Sequence, residues 1–168
     1  MPSLILFRHA KSDWSSGSDN DLARPLSGRG KRSARAMGRF LADAGQLPDL
    51  VLSSPAERAL ETVRIAMDAG GWKRAVSIRE ALYGGVSELL SEIRGQPAGA
   101  GVLLLVGHEP TWSATVEILI GGGSIRMPTG ALARVELECA SWSEIEPGCG
   151  QLSWLVHPRL FMAEPAES

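Results

Sequence analysis

The stretch Leu4-Ile5-Leu6-Phe7-Arg8-His9-Ala10 is an apolar run that stops abruptly at an arginine and a histidine. A short, continuously apolar run reads as a strand buried on both faces, as in the interior of a parallel sheet. The two polar residues then stand where the strand leaves the core, at its carboxyl end, and open α/β sheets carry their chemistry there.

The pattern returns along the chain. Val102-Leu103-Leu104-Leu105-Val106 is a second buried-strand run and ends in Gly107-His108-Glu109-Pro110. Between them Asp49-Leu50-Val51-Leu52 reads as a third short strand, running through Ser53-Ser54 into a helix with Arg58 on its first turn. If these strands are parallel, two histidines and two arginines converge on one sheet edge, a cluster suited to holding and attacking an anion.

Helical spacing fills the intervals. Met37, Phe40, Leu41 and Ala44 predict an amphipathic helix from Ser27 to Ala44, ended by Gly45. Ser54-Pro55-Ala56-Glu57 reads as a capping serine, proline at the first helical position and glutamate at the third, with Leu60, Val63 and Met67 as the apolar stripe. Val86, Leu89, Leu90 and Ile93 predict a third helix, and Trp112, Val116, Leu119 and Ile120 a fourth that turns at Gly121-Gly122-Gly123. Ala75 to Ile78, Ala131 to Glu138 and Gln151 to Val156 are further strand candidates, one of the last two antiparallel at an edge. Alternating strands and helices give the α/β class: a doubly wound, mostly parallel sheet with helices on both faces.

The 168 residues suffice for one compact domain, 1–168, with no linker-like stretch to divide it. A net charge of −2 with dispersed charges offers no basic field for nucleic acid. No apolar stretch approaches the length of a membrane span and the start carries no basic leader, so a soluble cytoplasmic protein is expected. Cys139 and Cys149 do not suggest a disulfide scaffold. Ile145 and Leu155 stand six residues beyond them, where a cysteine phosphatase would need arginine. There is no G-x-x-x-x-G-K-[ST] phosphate loop.

A histidine nucleophile divides one difficult displacement into two easier ones through a covalent intermediate. Phosphoryl transfer then asks mainly for in-line positioning and charge stabilisation, which paired arginines provide as forked, permanently charged donors. Arg8 and Arg58 match that need, with His108 as a further donor.

These residues resemble a known family. Arg8-His9-Ala10, Ser54-Pro55-Ala56-Glu57-Arg58-Ala59-Leu60-Glu61-Thr62 and Gly107-His108-Glu109 are similar to the three signature segments of the histidine phosphatase superfamily, which includes the phosphoglycerate mutases. Arg8-His9-Ala10-Lys11-Ser12-x-Trp14 followed by Arg24-Pro25-Leu26-Ser27-x-x-Gly30 most resembles the small SixA-like phosphohistidine phosphatases. The resemblance runs from Leu4 to near Leu119. It implies a phosphoglycerate mutase-like fold, His9 as the phosphorylated nucleophile, and Arg8, Arg58 and His108 as the phosphate pocket, with no cofactor or metal. Glu80, in Glu80-Ala81-Leu82-Tyr83-Gly84, stands where the wider superfamily has its general acid. An imidazole leaving group depends less on such a donor than an alkoxide does. Trp14 and Ser15 follow the nucleophile and are expected to border the substrate, and Ser15 replaces the asparagine usual in the mutases.

Between Tyr83 and His108 there is room for one helix and one strand, without a lid insertion. An open pocket admits a phosphohistidine on a signalling protein, and equally a small phosphate ester; a phosphate-binding module without turnover is the third reading. Glu109 favours the positive end of the helix after it, His157 reads as structural, and Lys11, Asp13, Asp19 and Asp21 read as parts of a solvated loop without metal-ligand spacing, its stretch 13–24 rich in Ser, Gly and Asp.

Overall fold

Alternation inside the apolar runs decides the layers. The structure, a computed structural model, describes residues 1–162. Its strands are β1 (Ser3–Arg8), β2 (Leu50–Ser53), β3 (Val76–Ile78), β4 (Val102–Gly107), β5 (Leu132–Leu137) and β6 (Gly150–Val156), in the sheet order β3-β2-β4-β1-β5-β6. The four long helices are α1 (Gly28–Asp43), α2 (Glu57–Gly70), α3 (Val86–Arg94) and α4 (Thr111–Leu119).

Ile5 and Phe7 of β1, Val51 of β2 and Leu104 and Val106 of β4 pack with Met37 and Leu41 of α1 and Ala59, Val63 and Ala66 of α2. Their neighbours Leu4, Leu6, Leu52, Leu103 and Leu105 point the other way, against Leu89 and Ile93 of α3 and Trp112, Val116 and Leu119 of α4. Period-two side chains thus feed two cores, one on each face, and the doubly wound α/β expectation holds in a single domain with a mixed sheet.

β1, β2, β3 and β4 run parallel. β5 lies antiparallel to β1, and β6 lies antiparallel to β5. The expectation of an antiparallel strand at an edge needs correcting. The reversed strand, β5, is interior, and the edge strand β6 runs in the direction of β1. This reversal makes the chain before β5 cross the carboxyl end of β1, beside the chemistry-bearing residues.

Helix α1 starts at Ser27, whose Oγ accepts the Gly30 N–H at 3.1 Å. Helix α2 starts later than its motif suggests: its N-cap is Ala56, with no side-chain cap bond. Ser54 is therefore not the capping serine. Its Oγ accepts the Ala56 N–H at 3.1 Å and turns toward His108.

Helices α1 and α2 meet at Gly38. A Cβ there would lie 2.0 Å from the Ala66 carbonyl oxygen, so the backbones leave no room for a side chain. Gly38→Ala must push the helices apart, and a loss of about 3 kcal/mol is expected from overpacking of this kind. Urea denaturation measures it, and unchanged stability would refute the close approach.

Candidate active site

Three neighbouring strands end in register, and each hands over one polar residue. Arg8 pairs with Gly107 and Ser53 with Val106, so the ends of β1, β4 and β2 are adjacent. His9, His108 and Ser54 follow directly. The His9 N–H donates to the Gly107 carbonyl at 2.9 Å and the Ser54 N–H to the Val106 carbonyl at 3.0 Å, extending the sheet by one rung beneath the site.

Helix α2 supplies more than its arginine. The Thr62 hydroxyl donates to the Arg58 carbonyl at 2.6 Å and accepts the Ala10 N–H at 3.0 Å. Glu61 accepts the Leu26 N–H at 2.8 Å. Residues 58, 61 and 62 thereby fix the nucleophile's strand end and the loop after it to one helix.

His9 is buried, and its ring lies 5.2 Å from that of His108, centroid to centroid. Its Nδ1 lies 2.7 Å from the Ala10 carbonyl oxygen, which only accepts, so Nδ1 carries the proton and Nε2 keeps a free lone pair. Burial, reinforced by the charges of Arg58 and Arg8, pushes the His9 pKa down to about 3. At neutral pH the ring is an uncharged nucleophile in a fixed tautomer.

His108 is lowered to about 4, again by burial first and Arg58 second. Its Nε2 lies 2.7 Å from Ser54 Oγ and its Nδ1 3.4 Å from an Arg58 Nη2. A serine hydroxyl can accept or donate. Arginine only donates, so Nδ1 accepts from Arg58, the ring proton sits on Nε2, and Ser54 Oγ accepts it.

The arginines are held by backbone and carboxylate. Arg8 Nη1 donates to the Met127 carbonyl at 2.8 Å, which the crossing chain before β5 delivers. Arg58 Nη1 donates to the Asp21 carbonyl at 2.6 Å and Nη2 to Asp21 Oδ2 at 2.8 Å. The Nε of each arginine is buried without a partner. Buried donors of this kind are satisfied by an anion with several oxygens.

Asp21, expected in a solvated loop, is instead a hub. It also accepts the Tyr83 hydroxyl at 2.5 Å and Arg24 Nη1 at 2.7 Å. The Tyr83 bond, then Arg58 and Arg24, hold its carboxyl well below the usual carboxylate range. Tyr83 stands edge-on to the His108 ring at 5.3 Å. Spacing along the chain did not reveal Asp21, Tyr83 or Ser54 as parts of the cluster. The one available signal was Asp21 three residues before Arg24, the residue that opens the second segment shared with the SixA-like proteins.

Arg8, His9, Arg58 and His108 do come together. Glu80 stands exposed at the start of a 3-10 turn, Glu80–Tyr83, and its carboxylate makes no hydrogen bond among the described residues. The far end of that turn, Tyr83, is what reaches the cluster. Trp14 is 74% exposed and lies under the Arg24 guanidinium, 3.7 Å from ring centroid to Cζ. Ser15 donates through its N–H and its hydroxyl to Asp13 Oδ1. Trp14 therefore joins the site through Arg24 and its bond to Asp21, whereas Ser15 bonds within the loop to Asp13. Glu109 accepts the Ser113 N–H at 2.8 Å, in the first turn of α4. Among the described residues no group of three or more His, Cys, Asp or Glu side chains forms a metal-binding cluster, and no helix is long and apolar enough to cross a membrane.

The depressed histidines have a consequence for stability. From the ordinary value of 6.5 down to about 4, the unfolded chain binds protons that His9 and His108 refuse in the folded state. Stability is therefore full above pH 6.5 and declines as pH falls, by up to about 1.4 kcal/mol per pH unit for each histidine. Urea midpoints between pH 7 and 4.5 test this. His108→Asn is expected to flatten the slope, and a wild-type profile already flat over this window would contradict the burial argument.

Comparison with known proteins agrees with the geometry. The family model of the histidine phosphatase superfamily (branch 1) matches residues 4–84. The chain is similar to Rv1276c, an uncharacterized protein of Mycobacterium tuberculosis, with 35% identity over 165 residues covering 90% of this chain and 99% of that one. It is similar to the structure of a putative phosphohistidine phosphatase SixA from Nakamurella multipartitia, with 30% identity, a TM-score of 0.76 and coverage of 94% and 96%. A putative SixA from Agrobacterium tumefaciens gives 28% identity, a TM-score of 0.78 and coverage of 94% and 99%.

Proposed function

Because the chain belongs to the histidine phosphatase superfamily, we propose that it is a phosphatase that works through a phosphorylated His9 and removes phosphate from a phosphohistidine on a protein. The observation that carries the reading is the His9 tautomer: Nδ1 is committed to the Ala10 carbonyl, which leaves Nε2 free for attack.

In the first step His9 Nε2 bonds to phosphorus while the bond from phosphorus to the substrate's imidazole nitrogen breaks, and that nitrogen takes a proton from water at the open site. Arg8, Arg58 and His108 hold the equatorial oxygens as charge spreads over them. In the second step water attacks phosphorus on the side opposite Nε2, releasing inorganic phosphate and restoring His9. Arg8 and Arg58 supply the permanent charge that a metal supplies in other phosphoryl transfers, so the mechanism calls for none.

The substrate class rests on two features. Glu80 is exposed and unattached, which suits a leaving group that needs little help. The chain from Tyr83 enters α3 directly at Val86, so no inserted segment rises from that point beside the site. A protein-borne phosphohistidine fits such an opening, and the same reading places the enzyme in the cytoplasm, acting as one domain over 1–168, with Trp14 and Ser15 along the substrate's approach.

Phosphate release from a phosphohistidine peptide and from glycerol 2-phosphate tests the proposal. The peptide is expected to be the better substrate, and Glu80→Gln to leave its turnover within about twofold, whereas a working general acid contributes about 10²-fold or more. A hundredfold loss on the peptide would assign Glu80 the acid role. Preference for the alkyl ester would point to a small-molecule phosphomonoesterase, and phosphate binding without turnover to a binding module.

A further inference from the structure

Beside the catalytic cluster, across the chain segment that precedes β5, lies a cavity of about 440 Å³ whose rim carries Lys11, Arg29, Arg126, His157 and Arg159. We propose that this cavity binds acidic side chains flanking the phosphorylated histidine of a protein substrate, a proposal that rests on the phosphatase reading above.

The cations come from separate parts of the chain. Lys11 follows β1, Arg29 opens α1, Arg126 lies between α4 and β5, and Arg159 follows β6, two residues after His157. The fold collects them although the chain as a whole carries a net charge of −2. Among the described residues no carboxylate pairs with Lys11, Arg29, Arg126 or Arg159; the acids pair elsewhere, as Asp21 does with Arg58 and Arg24, Glu61 with Lys31, Glu92 with Arg79 and Glu136 with Arg134. Like charges gathered without counter-charges repel one another, and an anion bound among them relieves that repulsion. His157 registers the same field: burial first, then Arg159 and Arg29, lower its pKa.

The cavity is tied to the nucleophile by backbone. Lys11 is two residues beyond His9, and the Gly130 N–H donates to the His9 carbonyl at 3.0 Å. Gly130 has φ +76°, and a Cβ there would stand 2.9 Å from Pro158 Cγ, so residue 130 joins the β6 exit to the strand end that carries His9. Arg8 bonds to Met127 in the same segment; burial lowers its pKa, Glu109 opposes that, and the Arg126 charge adds to the lowering. A side chain near the phosphohistidine in its own sequence would thus meet Arg126 and Lys11 first.

The character of the rim favours a protein segment over a small metabolite. Lys11, Arg29, Arg126 and Arg159 are all exposed, long and solvated, whereas small-molecule sites bury a few fixed polar groups in an apolar wall. Exposed charge of one sign accelerates and orients the docking of an oppositely charged surface.

The test uses the full chain and two synthetic peptides, each with one phosphohistidine, flanked in one by four glutamates and in the other by four glutamines. At low ionic strength kcat/KM is expected to favour the glutamate peptide by about tenfold, and the gap to close in high salt. The double variant Arg29→Glu, Arg159→Glu is expected to remove the gap while para-nitrophenyl phosphate turnover and thermal stability stay as in wild type. Equal kcat/KM for the two peptides in wild type, or a gap that survives in the variant, would overturn the proposal. Stronger competition by a single-stranded oligonucleotide than by the unphosphorylated glutamate peptide would overturn it in favour of nucleic acid. If wild type hydrolyses neither peptide nor para-nitrophenyl phosphate, the phosphatase reading fails on its own, and calorimetric binding of the two peptides still decides whether the cavity prefers acid.

Discussion

Turnover of phosphohistidine peptide and para-nitrophenyl phosphate alike is expected to vanish in His9→Ala, a loss on the order of 10⁴-fold or more, as when a covalent nucleophile is removed from other enzymes. The size of the effect follows from how completely His9 is prepared. Its ring is neutral, its proton sits on the nitrogen facing Ala10, and its Nε2 lone pair is free, whereas both ring nitrogens of His108 are engaged by Arg58 and Ser54. Alanine removes that lone pair and leaves Arg8, Arg58 and His108 in place, so orthovanadate should still bind. The loss is then one of chemistry rather than of affinity. Wild type quenched during turnover should carry phosphate on His9 that survives alkali and is lost in acid, as a phosphorus–nitrogen bond requires. Comparable turnover by His9→Ala, or a phosphoenzyme trapped in that variant, would transfer the nucleophile's role elsewhere.

Arg58→Ala is expected to produce the second-largest loss, on the order of 10²- to 10³-fold in kcat, by analogy with the removal of one preorganised donor from a transition-state anion. Arg58 is 5% exposed, and an interaction in so dry a place is screened little by water. The variant also strands Asp21, whose carboxylate would keep Tyr83 and Arg24 but lose Arg58 Nη2, while its backbone carbonyl loses Nη1. Arg58→Lys separates these effects: it retains the charge and abandons the fork, and should recover part of kcat without restoring wild-type rate. A KM effect with kcat intact would mean that Arg58 grips the ground state and the transition state equally.

What could be read along the chain, and what could not, divides by the range of the interactions involved. β1 and β4 were legible because strands buried on both faces must be apolar throughout, and the break at Arg8-His9 and Gly107-His108 marks where burial ends. The convergence of those ends follows from parallel pairing, which alternation with helices implies. Ser54 misled because a serine before proline and glutamate is a local capping signal, and the bond that redirects it comes from His108, far away in sequence. Asp21 lay in a stretch rich in Ser, Asp and Gly with no periodicity, and only its meeting with Arg58 and Tyr83 separates it from a solvated loop residue. The direction of β5 was equally hidden, since an interior antiparallel strand and an edge strand carry similar alternation. The basic rim escaped composition altogether, because a net charge of −2 averages over a surface whose charges the fold has sorted.

Asp21 bears on how a catalytic cycle ends. Inorganic phosphate is the last species to leave, and a pocket of bare, buried arginine would hold it tightly and stall the next round. Here a carboxylate of the chain itself occupies Nη2 of Arg58, so departing phosphate is exchanged for a resident anion instead of being pulled from unneutralised charge. The resident weakens the grip on any free oxyanion, whereas a substrate with more attachment points can displace it. On the phosphatase reading, a tethered competitor of this kind is expected to lessen inhibition by inorganic phosphate.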